Sequence, residues 1–382
     1  MRTLLVTGPG GAGTSTVAAA AALRSARSGR DTLLLARDLP PVAGLEDEPQ
    51  LTVRRIDGPQ AARALWGAHA ATLTGLLPHL TLPPATSVVP LPGADELALL
   101  AELGTAEAEL VVVDAGPLAA GRALVALPGT LRWWLDQLLP PSVRALAAVR
   151  TAGVSAGAVR PGPVDAVLDA LPGLERLLAG DRLADPTGTA VLLTGEARGP
   201  AAAALRRALP VLGLHGLRPS AVVARVLPAD GPGEWWRDRA AAQDAALAVL
   251  AELAPVHSVP EAPEGPADVD ALLALLDGLD LPATGGPPAP GPRRGEGGWE
   301  LTVPLPFAER SEVGLTRWGD DLVVAVGEDR RSLRLDSLLR RCEVTGGRLA
   351  DPGTARARLE VSFRPDPQQW PADLLAAEER TS

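Results

Sequence analysis

Lysine, asparagine and tyrosine do not occur among these 382 residues; cysteine and methionine occur once each and phenylalanine twice. All 36 basic residues are therefore arginines. A bias toward GC-rich codons accounts for these gaps together with the excess of Ala, Gly, Pro and Arg. One cysteine, Cys342, excludes an internal disulfide framework and a multi-cysteine metal site. His69, His79, His215 and His257 show no metal-ligand spacing and read as helix-surface or loop residues. No run approaches the ~20 apolar residues that span a bilayer. The stretch VAAAAAL at 17–23 is too short, and the first apolar run breaks into glycines too early for a signal peptide. The chain reads as cytoplasmic, without a transmembrane segment. A net charge of −10 speaks against nucleic acid, whose phosphates are met by clustered Arg and Lys.

What is present is a large apolar fraction, 46%, arranged in short β-like runs alternating with helical spacing. The runs are TLLVT (3–7), TLLLA (32–36), LTVRRI (51–56), TSVVP (86–90), LVVVD (110–114), TAVLLT (189–194) and SAVVARVL (220–227). Several are continuously apolar, as strands covered on both faces are. Strand–helix alternation predicts a mostly parallel sheet with helices on both faces, over residues 1–283. Residues 284–298 are nearly all Pro, Gly and Arg and read as a linker. Residues 299–365 carry β-like runs broken by turn signals and predict a small all-β sandwich. A tail follows at 366–382, of which 371–382 is expected to form a frayed helix.

The stretch GPGGAGTST (8–16) follows the first apolar run and opens a helix. In a P-loop, successive backbone N–H groups line one concavity at a helix N-terminus, where the helix dipole favours anions. Gly8, Gly10, Gly11 and Gly13 supply the backbone freedom. Ser15 or Thr16 supplies a hydroxyl for Mg²⁺. The Gly-Lys-[Ser/Thr] ending is missing, because Thr14 stands at the lysine position. On these residues alone, a phosphate site and a mere tight turn both stay open.

The loop resembles the deviant P-loop G-K-G-G-x-G-K-[ST]-[ST] of the ArsA family, which includes the arsenite-pump ATPase and the ATPase that guides tail-anchored proteins to membranes. Pro9 falls on the signature lysine, Thr14 on the second lysine and Ser15 on the magnesium ligand. TLLLARDLPPVAGL resembles the strand and switch I segment, with Asp38 on its aspartate. LVVVDAGPLAAGRALVALP resembles switch II: Asp114, Pro117, Leu127 and Pro128 match, and Leu118-Ala119-Ala120 replaces Thr-Gly-His. LPVLGLHGLRPSAVVARVLP resembles the segment ending V-N-R-V-L-P, with Ala224 in place of the base-contacting asparagine and Arg225 kept. The β tail, above all VPLPFAERSEV, resembles the α-crystallin-like (small heat-shock) domain of bacterial members.

The resemblance implies an α/β, P-loop NTPase-like fold with a C-terminal α-crystallin-like sandwich. It implies a nucleotide cradle of Gly8, Gly10, Gly11, Ala12, Gly13, Thr14, Ser15, Thr16 and Arg225. Asp38 would orient the attacking water; Ser15 and Asp114 would hold Mg²⁺, Asp114 through water. As ordinary residues, Asp38 and Asp114 are strand-end aspartates that start turns. In this family the signature lysine reaches the other subunit's nucleotide, and Pro9 has neither charge nor N–H. Losing a charge-assisted hydrogen bond costs about 1.5–3 kcal/mol of binding. Losing a preorganised electrostatic donor costs on the order of 10²–10³ in rate. ATP and Mg²⁺ binding is therefore expected to be weak and hydrolysis impaired; Arg37 and Arg122 lie beside the switch positions, but neither is in the loop to replace the missing charge. The alternatives are a slow but active ArsA-type ATPase and a chaperone-like binding module in which the β sandwich does the work. No zinc or arsenite site is expected. Expected partners are a second copy or an active ArsA-type paralogue, and a hydrophobic protein client. The tryptophan pairs in TLRWWLDQLLPP and GEWWRDRAAAQ are read as packing residues before they are read as a client groove.

Overall fold

The computed structural model describes residues 2–76, 82–156, 173, 175, 178, 182–183, 185–228, 231–281, 291–295 and 298–370. Seven strands form one parallel sheet: β1 (Arg2–Gly8), β2 (Thr32–Ala36), β3 (Leu51–Arg55), β4 (Leu110–Pro117), β5 (Thr189–Glu196), β6 (Pro219–Val226) and β7 (Val256–Pro260). Their order is β3-β2-β4-β1-β5-β6-β7, and every pairing is parallel. The described helices are α1 (Thr14–Arg27), α2 (Gly58–Leu76), α3 (Ala94–Thr105), α4 (Leu118–Leu138), α5 (Pro141–Ser155), α6 (Gly199–Leu214), α7 (Glu234–Leu253) and α8 (Val269–Ala274).

The continuous apolar runs have a direct cause. Side chains alternate faces along a strand, and both faces of this sheet are covered. Leu4 and Val6 of β1, with Val112 and Leu192, pack under the alanine-rich α1 and Leu272 of α8. Leu5, Val111, Val113, Val191 and Leu193 pack on the opposite face with Leu100, Leu124 and Leu205, from α3, α4 and α6. The parallel sheet with helices on both faces thus matches the expectation. One expected strand is absent: in TSVVP, Ala85–Ser87 forms a single 3-10 turn and Val88–Pro90 pairs with nothing in the sheet. Prolines at 83, 84 and 90 bracket this stretch, and proline cannot donate to a ladder. Conversely, VHSVP adds β7 at the edge, a strand too short and too polar to stand out in the sequence.

The C-terminal layer has two antiparallel sheets. One is β10 (Val313–Trp318), β11 (Asp321–Val326) and β12 (Asp329–Arg334), in that order. The other is β13 (Cys342–Ala350), β14 (Arg358–Pro365), β9 (Gly298–Pro304) and β8 (Arg293–Gly295). Strand β8 lies inside the stretch read as linker, because Arg293 and Arg294 pair with Glu300 and Trp299. The rest of that stretch (284–290, 296–297) and the expected terminal helix (371–382) lie outside the described residues, as does His79. Cys342 is buried in the core between these two sheets.

The sandwich docks on α6. A Cβ at Gly213 would lie 2.4 Å from Pro306 Cδ and 2.9 Å from the Pro304 carbonyl, so only glycine admits this approach. Leu214 belongs to the sandwich core, and Arg206 stacks over Phe307 at 4.4 Å while donating to the Gly353 carbonyl. Arg122 of α4 pairs with Asp329 at 3.3 Å. This docking buries His215, the residue that caps α6, so it is no surface or loop histidine.

Candidate functional site

In a parallel sheet all strands end along one edge, and ligands bind there, beyond the carboxyl ends. Here that edge gathers the loop after β1, Asp38 after β2, the end of β4, and Glu196 and Arg225 at the ends of β5 and β6.

The loop is shaped by two left-handed glycines, Gly11 (φ 79°) and Gly13 (φ 81°), and by a turn in which the Ala12 N–H donates to the Pro9 carbonyl at 3.1 Å. Added Cβ atoms at Gly10, Gly11 or Gly13 would meet nothing within 4 Å, so the space on their side is open. Helix α1 begins at Thr14 with no side-chain cap, leaving its positive end without an internal acceptor. Gly8 has a different task. A Cβ there would lie 2.1 Å from Thr194 Oγ1 and 2.3 Å from the Thr194 carbonyl, so glycine lets β5 pass against the loop.

Thr14, at the position of the missing lysine, is buried and shares a 2.9 Å hydroxyl hydrogen bond with Thr194. Its side chain is committed to the end of β5. Ser15 behaves differently: its hydroxyl acts on the Asp114 carboxylate and favours its charged form. Asp114 is buried, and its Oδ1 accepts from the Gly116 N–H at 3.0 Å. Burial pushes the Asp114 carboxyl above the usual carboxylate range, opposed by the Ser15 hydroxyl, the Gly116 N–H and the charge of Arg37; Asp38 adds a push in the same direction as burial. Gly116 (φ 67°) turns the chain out of β4, and its carbonyl accepts from Thr7 Oγ1 at 2.9 Å.

The remaining expected residues fall on the same edge with other commitments. Asp38 is exposed. Arg225 pairs with Glu196, and its Nε lies 3.6 Å from Glu261 Oε2. Arg37 donates to Glu96 at 2.7 Å, while its Nε is buried with no hydrogen-bond partner among the described residues. Arg122 points its charge at the sandwich through Asp329. Thr194 and Glu196 went unnoticed in the sequence. Their signal was there: a polar Thr-Gly-Glu closing an apolar run, at the strand end where sites form. Of the tryptophans read as packing residues, Trp133 is half-buried, but Trp134 and Trp235 are exposed.

Residues 1–264 match the model of the anion-transporting ATPase family, ArsA, and residues 296–363 match the HSP20-like domain found in ArsA. The chain belongs to the ArsA family. It is similar to the uncharacterized protein SCO2128 of Streptomyces coelicolor, 41% identical over 97% of this chain and 99% of that protein. It is also similar to protein Rv2184c of Mycobacterium tuberculosis, 40% identical over 73 residues, 19% of this chain and 16% of that one. Among the described residues no helix of this ArsA-family chain is long and apolar enough to cross a membrane.

The family suggests a nucleotide with Mg²⁺. The residues fit such a group in shape and in the Ser15–Asp114 pair, and fail it in charge. No Lys exists, Thr14 is tied to Thr194, and Pro9 offers only a carbonyl, which Ala12 already uses. Among the described residues no cluster of three or more His, Cys, Asp or Glu could hold a metal ion by itself. A Mg²⁺ here would need ligands from the nucleotide, as octahedral Mg²⁺ at phosphates ordinarily has.

Proposed function

We propose that this chain is a hydrolysis-impaired ArsA-family protein that binds Mg-nucleotide weakly and acts in client-protein handling, paired with a second copy or an active ArsA-type paralogue. The carrying observation is the Thr14–Thr194 hydrogen bond beside the Ser15–Asp114 pair. The position that should neutralise phosphate charge is turned into the sheet, while the metal-side pair is kept. In this reading the backbone N–H groups of residues 10–16 would hold phosphate oxygens, and Ser15 and Asp114 would hold Mg²⁺. Bound Mg²⁺ supplies the charge neutralisation that the loop does not. Arg225, bridged to Glu196 and Glu261, orders the strand ends beside the nucleotide. With its counter-charges in place it contributes little net positive potential. Nucleotide occupancy would then change how α4, which begins four residues after Asp114, sits against the sandwich. The test is Mg-ATP turnover by the full chain, alone and with an ArsA-type paralogue from the same cell. No turnover alone, with co-purification of the paralogue or a stable dimer, is expected. Turnover alone at an ordinary ATPase rate contradicts the reading.

A second reading, a slow but active ATPase, is favoured by Arg37. Its guanidinium acts electrostatically on Asp114 and keeps one buried N–H without a hydrogen-bond partner among the described residues. Mg²⁺-dependent turnover abolished by Asp38→Asn and by Arg37→Gln would establish it.

A further inference from the structure

A cavity of about 410 Å³ lies in the seam between α4 and the β10–β12 sheet. That size is in the range of small-molecule sites, which are mostly apolar with a few placed polar groups. One wall is the Trp133–Trp134 pair, edge to face at 5.0 Å, and Val323 of β11 faces it. Two polar atoms are stranded. Trp133 Nε1 and His215 Nε2 are buried, and neither has a hydrogen-bond partner among the described residues. Orphaned buried groups of this kind are rare in native structures and call for an explanation. An indole N–H can only donate, so what is missing is an acceptor.

The charge of the lining decides the kind of acceptor. Arg330 and Arg331 both line the cavity, and among the described residues no carboxylate does. Arg331 donates to the Leu214 carbonyl, which fixes it beside His215, while Arg330 has no ion pair among the described residues. His215 is only 7% exposed, and burial with the nearby Arg331 charge brings its pKa down to about 3, so the ring is neutral and able to share a hydrogen bond. Apolar walls, one stranded donor, a neutral imidazole and two guanidiniums together describe an acid with a hydrocarbon or aromatic body.

We propose that the seam between α4 and the β sandwich is a binding site for a monocarboxylate with an apolar body, its carboxylate received by Trp133 Nε1 and the Arg330 and Arg331 guanidiniums. The inference stands apart from the nucleotide reading, since it uses none of the residues at the strand ends. Octanoate, with octan-1-ol as its uncharged counterpart, tests it by calorimetry on the full chain. Octanoate should bind one to one with a submillimolar Kd, at least tenfold tighter than the alcohol. Trp133→Phe keeps the ring and removes the N–H; it should weaken octanoate about fivefold or more and leave the alcohol unchanged. Gly129→Leu should abolish both, because Gly129 lines the cavity and a Cβ there meets nothing within 4 Å. Its unfolding temperature, measured alongside, should not fall. Equal affinity for acid and alcohol, no binding of either at 5 mM, or octanoate binding unaltered by both substitutions would each overturn the proposal.

Discussion

His215 makes acid sensitivity a specific property of the docked sandwich. Burial beside Arg331 lowers its pKa from the ordinary 6.5 to about 3. Between those values the unfolded chain carries a proton on this histidine that the folded chain refuses. Folding stability therefore rises with pH across the window, is complete above about pH 6.5, and is lost as pH falls toward 3. Each unit is worth roughly 1.4 kcal/mol. At pH 4.5, two units below the ordinary value, His215 should cost the folded state about 3 kcal/mol relative to a side chain that does not titrate. His215→Gln supplies that reference. Urea unfolding of both proteins at pH 7 and pH 4.5, followed by far-UV circular dichroism, gives the four free energies required. Carboxylates protonate alike in both proteins and cancel in the difference. The wild type should lose about 3 kcal/mol more than the variant on going to pH 4.5. A difference below about 1 kcal/mol would mean that the ring protonates freely in the folded state, and the docking of α6 against the sandwich would have to be redrawn.

Two further outcomes probe the loop. Gly8→Ala should destabilise the first domain by about 2–4 kcal/mol in thermal unfolding, because its methyl group meets the Thr194 backbone carbonyl as well as the movable hydroxyl; a loss under 0.5 kcal/mol, on the order of a neutral surface change, would show that β5 does not pass so close. Thr14→Val keeps the shape but strands the Thr194 hydroxyl, at a cost of about 1–2 kcal/mol that adding Thr194→Val should largely restore.

The layered α/β fold was legible because its signal is collective. Several continuously apolar runs alternating with helical spacing allow few arrangements, and the two-sided burial of β1, β4 and β5 bears that pattern out. Single short segments were not legible. TSVVP looks like a strand by composition, yet its flanking prolines deny it a ladder, whereas VHSVP gains its place only by pairing with β6. Arg293 and Arg294 read as linker because pairing with β9, not residue type, makes them a strand. At the candidate site the sequence marks which charges are gone, through Pro9 and Thr14. It does not reveal where Thr14 points, since its partner Thr194 lies 180 residues away. The seam cavity was illegible for the same reason: Trp133, His215 and Arg331 meet only when the sandwich docks.

The central claim is that a cradle of the right shape has lost its charges. The most direct test is calorimetric titration of Mg-ATP into the wild type and into the Pro9→Lys/Thr14→Lys double variant. Two restored charge-assisted contacts at about 1.5–3 kcal/mol each predict at least a hundredfold gain in affinity, from weak binding in the wild type. Equal affinity in the two proteins, or no binding in either, would contradict it.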